Sequence, residues 1–511
     1  MADSTRGPRP QFLPSGLVLV QPAAGRADVD RAVVERYRRD QQGVPAPPQD
    51  PKVTVALEHL RHAKHEWTHY DQYLTTSIGA LLHRLRVARR YAAHQVLRDV
   101  IQATGKINSL PGLIARETHL LDPIVTSSRV LSEIGVRNLQ FWDFVSRLDG
   151  VVMGAVWHQT PVADIWHSLF GIEVHRQFLG LHKVGAFAHS CELTTQDRDT
   201  FVDGETTLSE LLEGASRLAE YHLLLPIIGG HAATTFLAAG SSAYWSSTAK
   251  ACRVLDVPPY HQLIRVLHEI ALEQFPDPEL LAGSRIEALD WNLHYPGRFY
   301  DRALADLASV KIEPRMTLAK AYELIATVCL SRDAEPYLVA RAAAASLGSP
   351  AELIAQRNRV STLEYASRHV AEDGEILLDD FAGLTLSAGI AIRARDPIAF
   401  LKSADQFVEE IDPVLAATRL PPFVLTDQGF GCHACINADQ TEHLSLLIDA
   451  LFDLTIDELA ESGRCRISAL MYKEIVTCYG DDGAQAADFL LARRMGTPLA
   501  EMALDVLGRK P

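Results

Sequence analysis

Cysteine is scarce in this chain: there are seven in 511 residues, an odd number spread thinly. That excludes a disulfide framework, which needs cysteines that are dense and paired. Long apolar runs are missing as well. The stretch Leu223 to Ile228 ends at Gly229-Gly230, far short of the ~20 residues a membrane helix requires. Basic charge is in deficit, with 49 Lys and Arg against 64 Asp and Glu, which argues against a general phosphate-binding surface and so against nucleic acid as a partner. Met1 to Pro14 is polar and proline-bearing and lacks the charged-then-apolar pattern of a signal peptide. No internal repeat of fixed period is visible. The expectation is a cytoplasmic protein with reduced thiols and no membrane segment.

What the chain does have is hydrophobic residues, 47% of the total, enough to bury a substantial core. It also has the pentapeptide His65-Glu66-Trp67-Thr68-His69. Pro51 precedes a run, Val53 to Tyr73, in which Val53, Leu57, Leu60, Lys64 and Trp67 mark one stripe while His62, His65, His69 and Gln72 mark its neighbour, the pattern of an amphipathic helix. Residues i and i+4 project from one face of a helix, so the imidazoles of His65 and His69 can converge on one ion at the ~2.0–2.1 Å of a zinc–nitrogen bond. Glu66 then stands beside the ion as a general base, able to take a proton from an activated water and pass it to a leaving group. The bland account is two ordinary helix histidines and a surface carboxylate.

A catalytic zinc needs a third protein ligand. Glu213 is the best candidate. Thr207 and Glu210 have capping-box spacing, which starts a helix and puts Glu213 in its second turn. Gly214 and Ala215 follow, and small side chains there suit close packing against the His65 helix; a mid-helix Gly costs about 1 kcal/mol relative to Ala and calls for such a reason. Glu220 lies seven residues on, on the same face. Glu220 and His222 are reserve ligands, with His231 just beyond, and Tyr221, His222 and Tyr244 are candidate donors to a developing oxyanion.

The words HEWTH at His65 to His69 and EGAS at Glu213 to Ser216 resemble the zincin metallopeptidases, of the gluzincin type whose third ligand is a glutamate on a downstream helix. The resemblance covers two helices. It implies zinc held by His65, His69 and Glu213, with Glu66 as base, in an enzyme that cleaves a peptide or protein substrate. Arg217 stands where such enzymes usually carry an aspartate, and more than a hundred residues separate the two words. Two other readings stand beside hydrolysis: a zincin-like scaffold that binds a peptide or protein without cleaving it, and a helical di-iron carboxylate oxygenase, which would need a second Glu-x-x-His pair.

A second cluster, Cys432 and Cys435 with His433, His443, Cys465 and Cys478 in the region, has half the spacing of a structural metal site. A redox pair or two ordinary thiols fit it equally. The expected fold is mainly α: a zincin-like helical core with a small β element and a helical C-terminal accessory region. The expected division is 1–50, a leader with the Pro-rich linker Gln41 to Pro51; 51–348, the metal-binding domain with a large insertion; and 349–511, the accessory domain. Gly16 to Gln21 reads as a strand, and further strands are expected at Gly150 to Trp157, Val174 to Leu181 and Phe187 to Leu193, a stretch crowded with His158, His167, His175, His182 and His189. Ser77 to Thr104 reads as a helix with Arg84, Arg86, Arg89 and Arg90 on a solvated face. Tyr260 to Gln274, Thr317 to Leu330, Pro336 to Ala345, Pro350 to Val370 and Thr441 to Ala460 have helical periodicity, and Leu293 to Phe299, with His294, reads as a turn punctuated by Pro296-Gly297.

Overall fold

Caps and prolines set the helix boundaries as their chemistry dictates. The structure, a computed structural model, describes residues 11–20, 26–106, 109–116, 205–238, 242–274, 295–330, 347–360, 377–403, 412–419, 423–426, 429–432 and 440–508, with the separate positions 138, 139, 142, 145, 146, 153 and 341. Among the described residues the fold is mainly α. The helices are α1 Arg26–Asp40, α2 Pro51–Thr75, α3 Ser77–Thr104, α4 Leu110–Arg116, α5 Leu208–Ile228, α6 Gly230–Ala238, α7 Ser246–Leu255, α8 Gln262–Leu272, α9 Pro296–Leu307, α10 Leu318–Val328, α11 Pro350–Val360, α12 Leu377–Arg395, α13 Pro397–Ser403, α14 Pro413–Arg419, α15 Gln440–Ser462, α16 Ile467–Met495 and α17 Thr497–Val506. None is long and apolar enough to cross a membrane.

The motif helix α2 starts where Asp50 accepts from the Lys52 amide at 2.8 Å and Pro51 takes the first position, where its missing N–H costs nothing. Thr76 breaks the chain into α3 by accepting from the Gly79 amide. The expected capping box is present on α5, with Thr207 and Glu210 bonded to each other's backbone. Pro296-Gly297, read as a turn, instead opens α9: Pro296 again takes the first position, and Gly297 lies so close to the Thr206 carbonyl that a Cβ would sit 1.7 Å from its oxygen. That contact fastens α9 to the residue just before α5.

Among the described residues the β structure is one small sheet that joins two segments far apart in the sequence. β1 Gln11–Leu13, β2 Val18–Val20, β3 Phe423–Thr426 and β4 Gly429–Cys432 form one sheet in that order. The β1–β2 and β3–β4 pairs are antiparallel, and β2 runs parallel to β3 with Val18 opposite Phe423. The expected strand at Gly16 begins at Val18, because Ser15–Leu17 forms a 3₁₀ turn packed on α15. Apart from Met153 and Arg341, the strands expected between 150 and 193 and the helix at Pro336 to Ala345 lie outside the described residues, as do the five histidines and His294. One cluster of buried apolar side chains runs from Phe12 to Leu507 and draws on all three segments marked out in the sequence; a smaller one joins α1, α2, α5 and α6 through Val34, Leu57, Tyr221 and Leu237.

Arg86, Arg89 and Arg90 of α3, expected on a solvated face, turn to α15 instead. Arg86 pairs with Asp457 at 3.1 Å, Arg89 with Glu461 and Arg90 with Asp453, all on α15, and Arg90 is buried. Between Arg90 and Asp453 solvent is excluded, and there an unmatched charge would cost several kcal/mol.

Candidate metal centre

Two helices build the site because they lie side by side. From α2 come His65 and His69, one turn apart; from α5 comes Glu213. The Nε2 atoms of the two histidines are 3.1 Å apart, and Glu213 Oε2 lies 3.2 Å from that of His65 and 3.5 Å from that of His69. This is the group among the described residues that could hold a metal ion. Glu213 Oε2 is buried, and neither imidazole contact gives it the alignment of a hydrogen bond. A lone pair enclosed in this way is costly unless a cation or a donor meets it.

The outer nitrogens are tethered, which aims the inner ones. His65 Nδ1 meets Glu220 Oε1 at 2.7 Å. His69 Nδ1 meets Gln72 Oε1 at 3.0 Å and Ser216 Oγ at 3.3 Å, while the Gln72 amide donates to the Leu212 carbonyl of α5. Ligand histidines fixed through their second nitrogen are characteristic of protein metal sites. Glu220 is itself clamped by Arg61 Nη1 at 3.0 Å and Arg217 Nη1 at 2.7 Å, and all three are buried. The Arg217 guanidinium stacks on Tyr244, whose ring meets His65 edge-on.

Charge follows from these contacts. Burial raises the Glu213 carboxyl, but the adjacent His65 and His69 outweigh it and bring it down to about 2. Burial likewise opposes ionisation of Glu220, and the His65 hydrogen bond with the Arg217 and Arg61 charges holds it below the ordinary carboxylate range. For His65 burial favours the neutral ring, yet the nearby carboxylates of Glu213 and Glu220 lift it to about 9. Two carboxylates flank one imidazole, so the ring carries a proton until another cation takes its place.

Glu66 points elsewhere than its neighbours. Its Oε2 accepts the Phe12 amide of β1 at 2.9 Å. Glu66, His69 and Glu213 line one open cleft of about 270 Å³, walled by Phe12, Tyr73, Leu82 and Leu212 among others. The residues predicted as ligands and base therefore meet at one place. The reserve residues do not join the metal group: Glu220 stands behind His65, Tyr221 is buried with its hydroxyl donating to the Gly230 carbonyl, His222 packs edge-on against Tyr221, and His231 is exposed.

Gly214 serves a different purpose from the one expected. A Cβ there would meet Ser247 Oγ at 2.2 Å and His268 Nε2 at 2.9 Å, so the glycine admits α7 and α8 rather than the His65 helix. The sequence reading passed over Arg61, one turn before His65 on α2, and Phe12, whose contribution is a backbone amide. Arg61 carried a signal in its i−4 spacing; Phe12 carried none. Of the second cluster, Cys435 lies outside the described residues and Cys432 ends β4, while Cys465 and Cys478 are unbridged thiols. Comparison with known proteins finds no family model, curated protein or solved structure that matches this chain.

Proposed function

We propose that the chain is a zinc-dependent hydrolase, a metallopeptidase in which His65, His69 and Glu213 hold the ion and Glu66 is the general base. The observation that carries this reading is the triangle of donor atoms. Its sides of 3.1, 3.2 and 3.5 Å lie close to the roughly 3.3 Å that separates ligands around a tetrahedral ion with 2.0–2.1 Å bonds. Two neutral imidazoles and one carboxylate are a donor set that zinc accepts, with a fourth position left for water or substrate. A bound zinc would supply the acidity that activates a water molecule and the polarisation of the scissile carbonyl.

The protein's own residues do the rest. Glu220 would keep the proton of His65 on Nδ1, so that Nε2 presents its lone pair. Gln72 and Ser216 would do the same for His69. Glu66, on the wall of the same cleft, would receive the proton of the attacking water and deliver it to the departing amine. The Phe12 amide holds one carboxylate oxygen and so limits how Glu66 can turn. A di-iron centre has less support, because Glu220, the acid behind His65, is engaged by two arginines and a histidine.

Elemental analysis of the purified protein tests this. About one zinc per chain is expected, lost in His69→Ala and in Glu213→Ala, with hydrolysis of a mixed peptide library abolished in a Glu66→Gln variant that keeps its metal. Protein that is folded, never exposed to strong chelator and free of metal would overturn the reading. Two irons per chain would replace it with oxygen chemistry.

A further inference from the structure

The cleft beside the metal group differs from a groove that grips a long extended chain. Successive N–H groups of a strand alternate in direction. With the Phe12 amide turned to Glu66, those of Gln11 and Leu13 turn toward β2. β1 is an edge strand of three residues, so its outer side presents a single amide, and Glu66 accepts it. Strand addition needs a row of N–H and C=O groups. Among the described residues that row is not there.

The space itself points to a short occupant. Its volume of about 270 Å³ lies just under the lower end of the ~300–1,000 Å³ range of small-molecule sites. Leu82, Leu212 and Phe12 give it apolar walls, and Arg86 is the lone guanidinium or ammonium among the described residues that line it. The Arg86 guanidinium is fixed in place, Nη1 donating to Ser15 Oγ at 2.9 Å and to Asp457 Oδ2 at 3.1 Å. A guanidinium is a planar fork matched to a carboxylate, and holding it still beforehand removes much of the ordering cost of binding.

We infer that the site takes short acylated peptides ending in a free carboxylate. The carboxylate meets Arg86, and the apolar side chain beside the scissile bond lies against Leu82 and Leu212. This rests on the hydrolase reading above and adds to it the substrate class.

Binding of a matched pair of inhibitors tests it without reliance on turnover. The probes are two hydroxamate-capped leucyl-glycine peptides, one with a free terminal carboxylate and one with a carboxamide, titrated by calorimetry into zinc-loaded protein whose metal content is measured in the same sample. The free acid is expected to bind about tenfold more tightly, the scale of one charge-assisted hydrogen bond. Arg86→Gln should erase that preference, Arg86→Lys should leave part of it, and Ser15→Ala, which removes an anchor but keeps the charge, should leave most of it. Equal affinity of the two probes overturns the inference, as does failure of both to bind protein that carries one zinc. Loss of the preference in Ser15→Ala to the same degree as in Arg86→Gln also overturns it, since that is the mark of a general structural effect. If the protein holds no zinc, the hydrolase reading fails first, and the metal analysis separates the two failures.

Discussion

Glu220 Oε1 lies 2.7 Å from His65 Nδ1, across the ring from Glu213. The second carboxylate of α5 therefore orients a ligand supplied by α2. Glu220→Gln preserves the shape but loses the charge, and it is expected to lower zinc affinity by roughly 10–100-fold, as read by competition with a chromophoric chelator. Glu220→Ala goes further. It leaves Arg61 and Arg217, 8% and 4% exposed, facing each other without their shared counter-charge, at a cost of about 3–5 kcal/mol in urea unfolding. Unchanged zinc affinity in Glu220→Gln would assign the residue to stability alone.

Gly214→Ala is expected to cost about 1–3 kcal/mol, since the added methyl meets Ser247 and His268 in a packed interior. Removing the Ser247 hydroxyl relieves the tighter of the two contacts. The double variant Gly214→Ala with Ser247→Ala should therefore be more stable than the sum of the single changes predicts, a coupling that a double-mutant cycle measures directly.

Acid should weaken the fold through His268 and His94. Burial keeps both rings neutral, pushing each down to about 4 against weaker help from the Ile264 and Met495 carbonyls. Below the ordinary histidine value of about 6.5 the unfolded chain takes up protons that the folded chain refuses. Stability is thus full above about pH 6.5 and falls as pH drops toward 4, by roughly 2 kcal/mol per histidine at pH 5. His268→Gln should lose less stability than the parent between pH 7.5 and pH 5. An identical loss would show that His268 does not drive it.

Arg90 and Asp453 face each other between α3 and α15, at 6% and 3% exposure. Arg90→Ala removes the charge that balances Asp453 and is expected to cost about 3–5 kcal/mol. Replacing both, Arg90→Met with Asp453→Leu, should recover most of that, because the penalty belongs to the stranded charge. Thermal denaturation of the three proteins distinguishes this from a simple loss of packing.

Much of the site was legible because it lies in short-range spacing. The i, i+4 histidines, the Asp50-Pro51 start and the Thr207/Glu210 capping box are local signals, and each sits where its spacing puts it. Glu213 was reached through the capping box that starts its helix and the small residues after it, and Glu220 through its place on the same face, though it braces His65 rather than joining the ligand group. Other features depend on partners far away in the chain. The α3 arginines look solvated until α15 is brought against them, and Gly214 faces His268 rather than His65. The pairing of β2 with β3 has no local signature at all.

That pairing sets an order of events during synthesis. Val18 and Phe423 stand opposite each other, so β2 must wait for about 400 further residues before its neighbour exists. Closing so wide a loop is slow compared with forming a helix. The helices bearing His65, His69 and Glu213 are made long before that, while the sheet that steadies Phe12 against Glu66 is finished only once β3 has been made. A nascent chain would thus collect its metal-binding side chains early and gain a fixed orientation for its base late. Proteolytic activity, on the reading proposed here, would be withheld until β3 had left the ribosome.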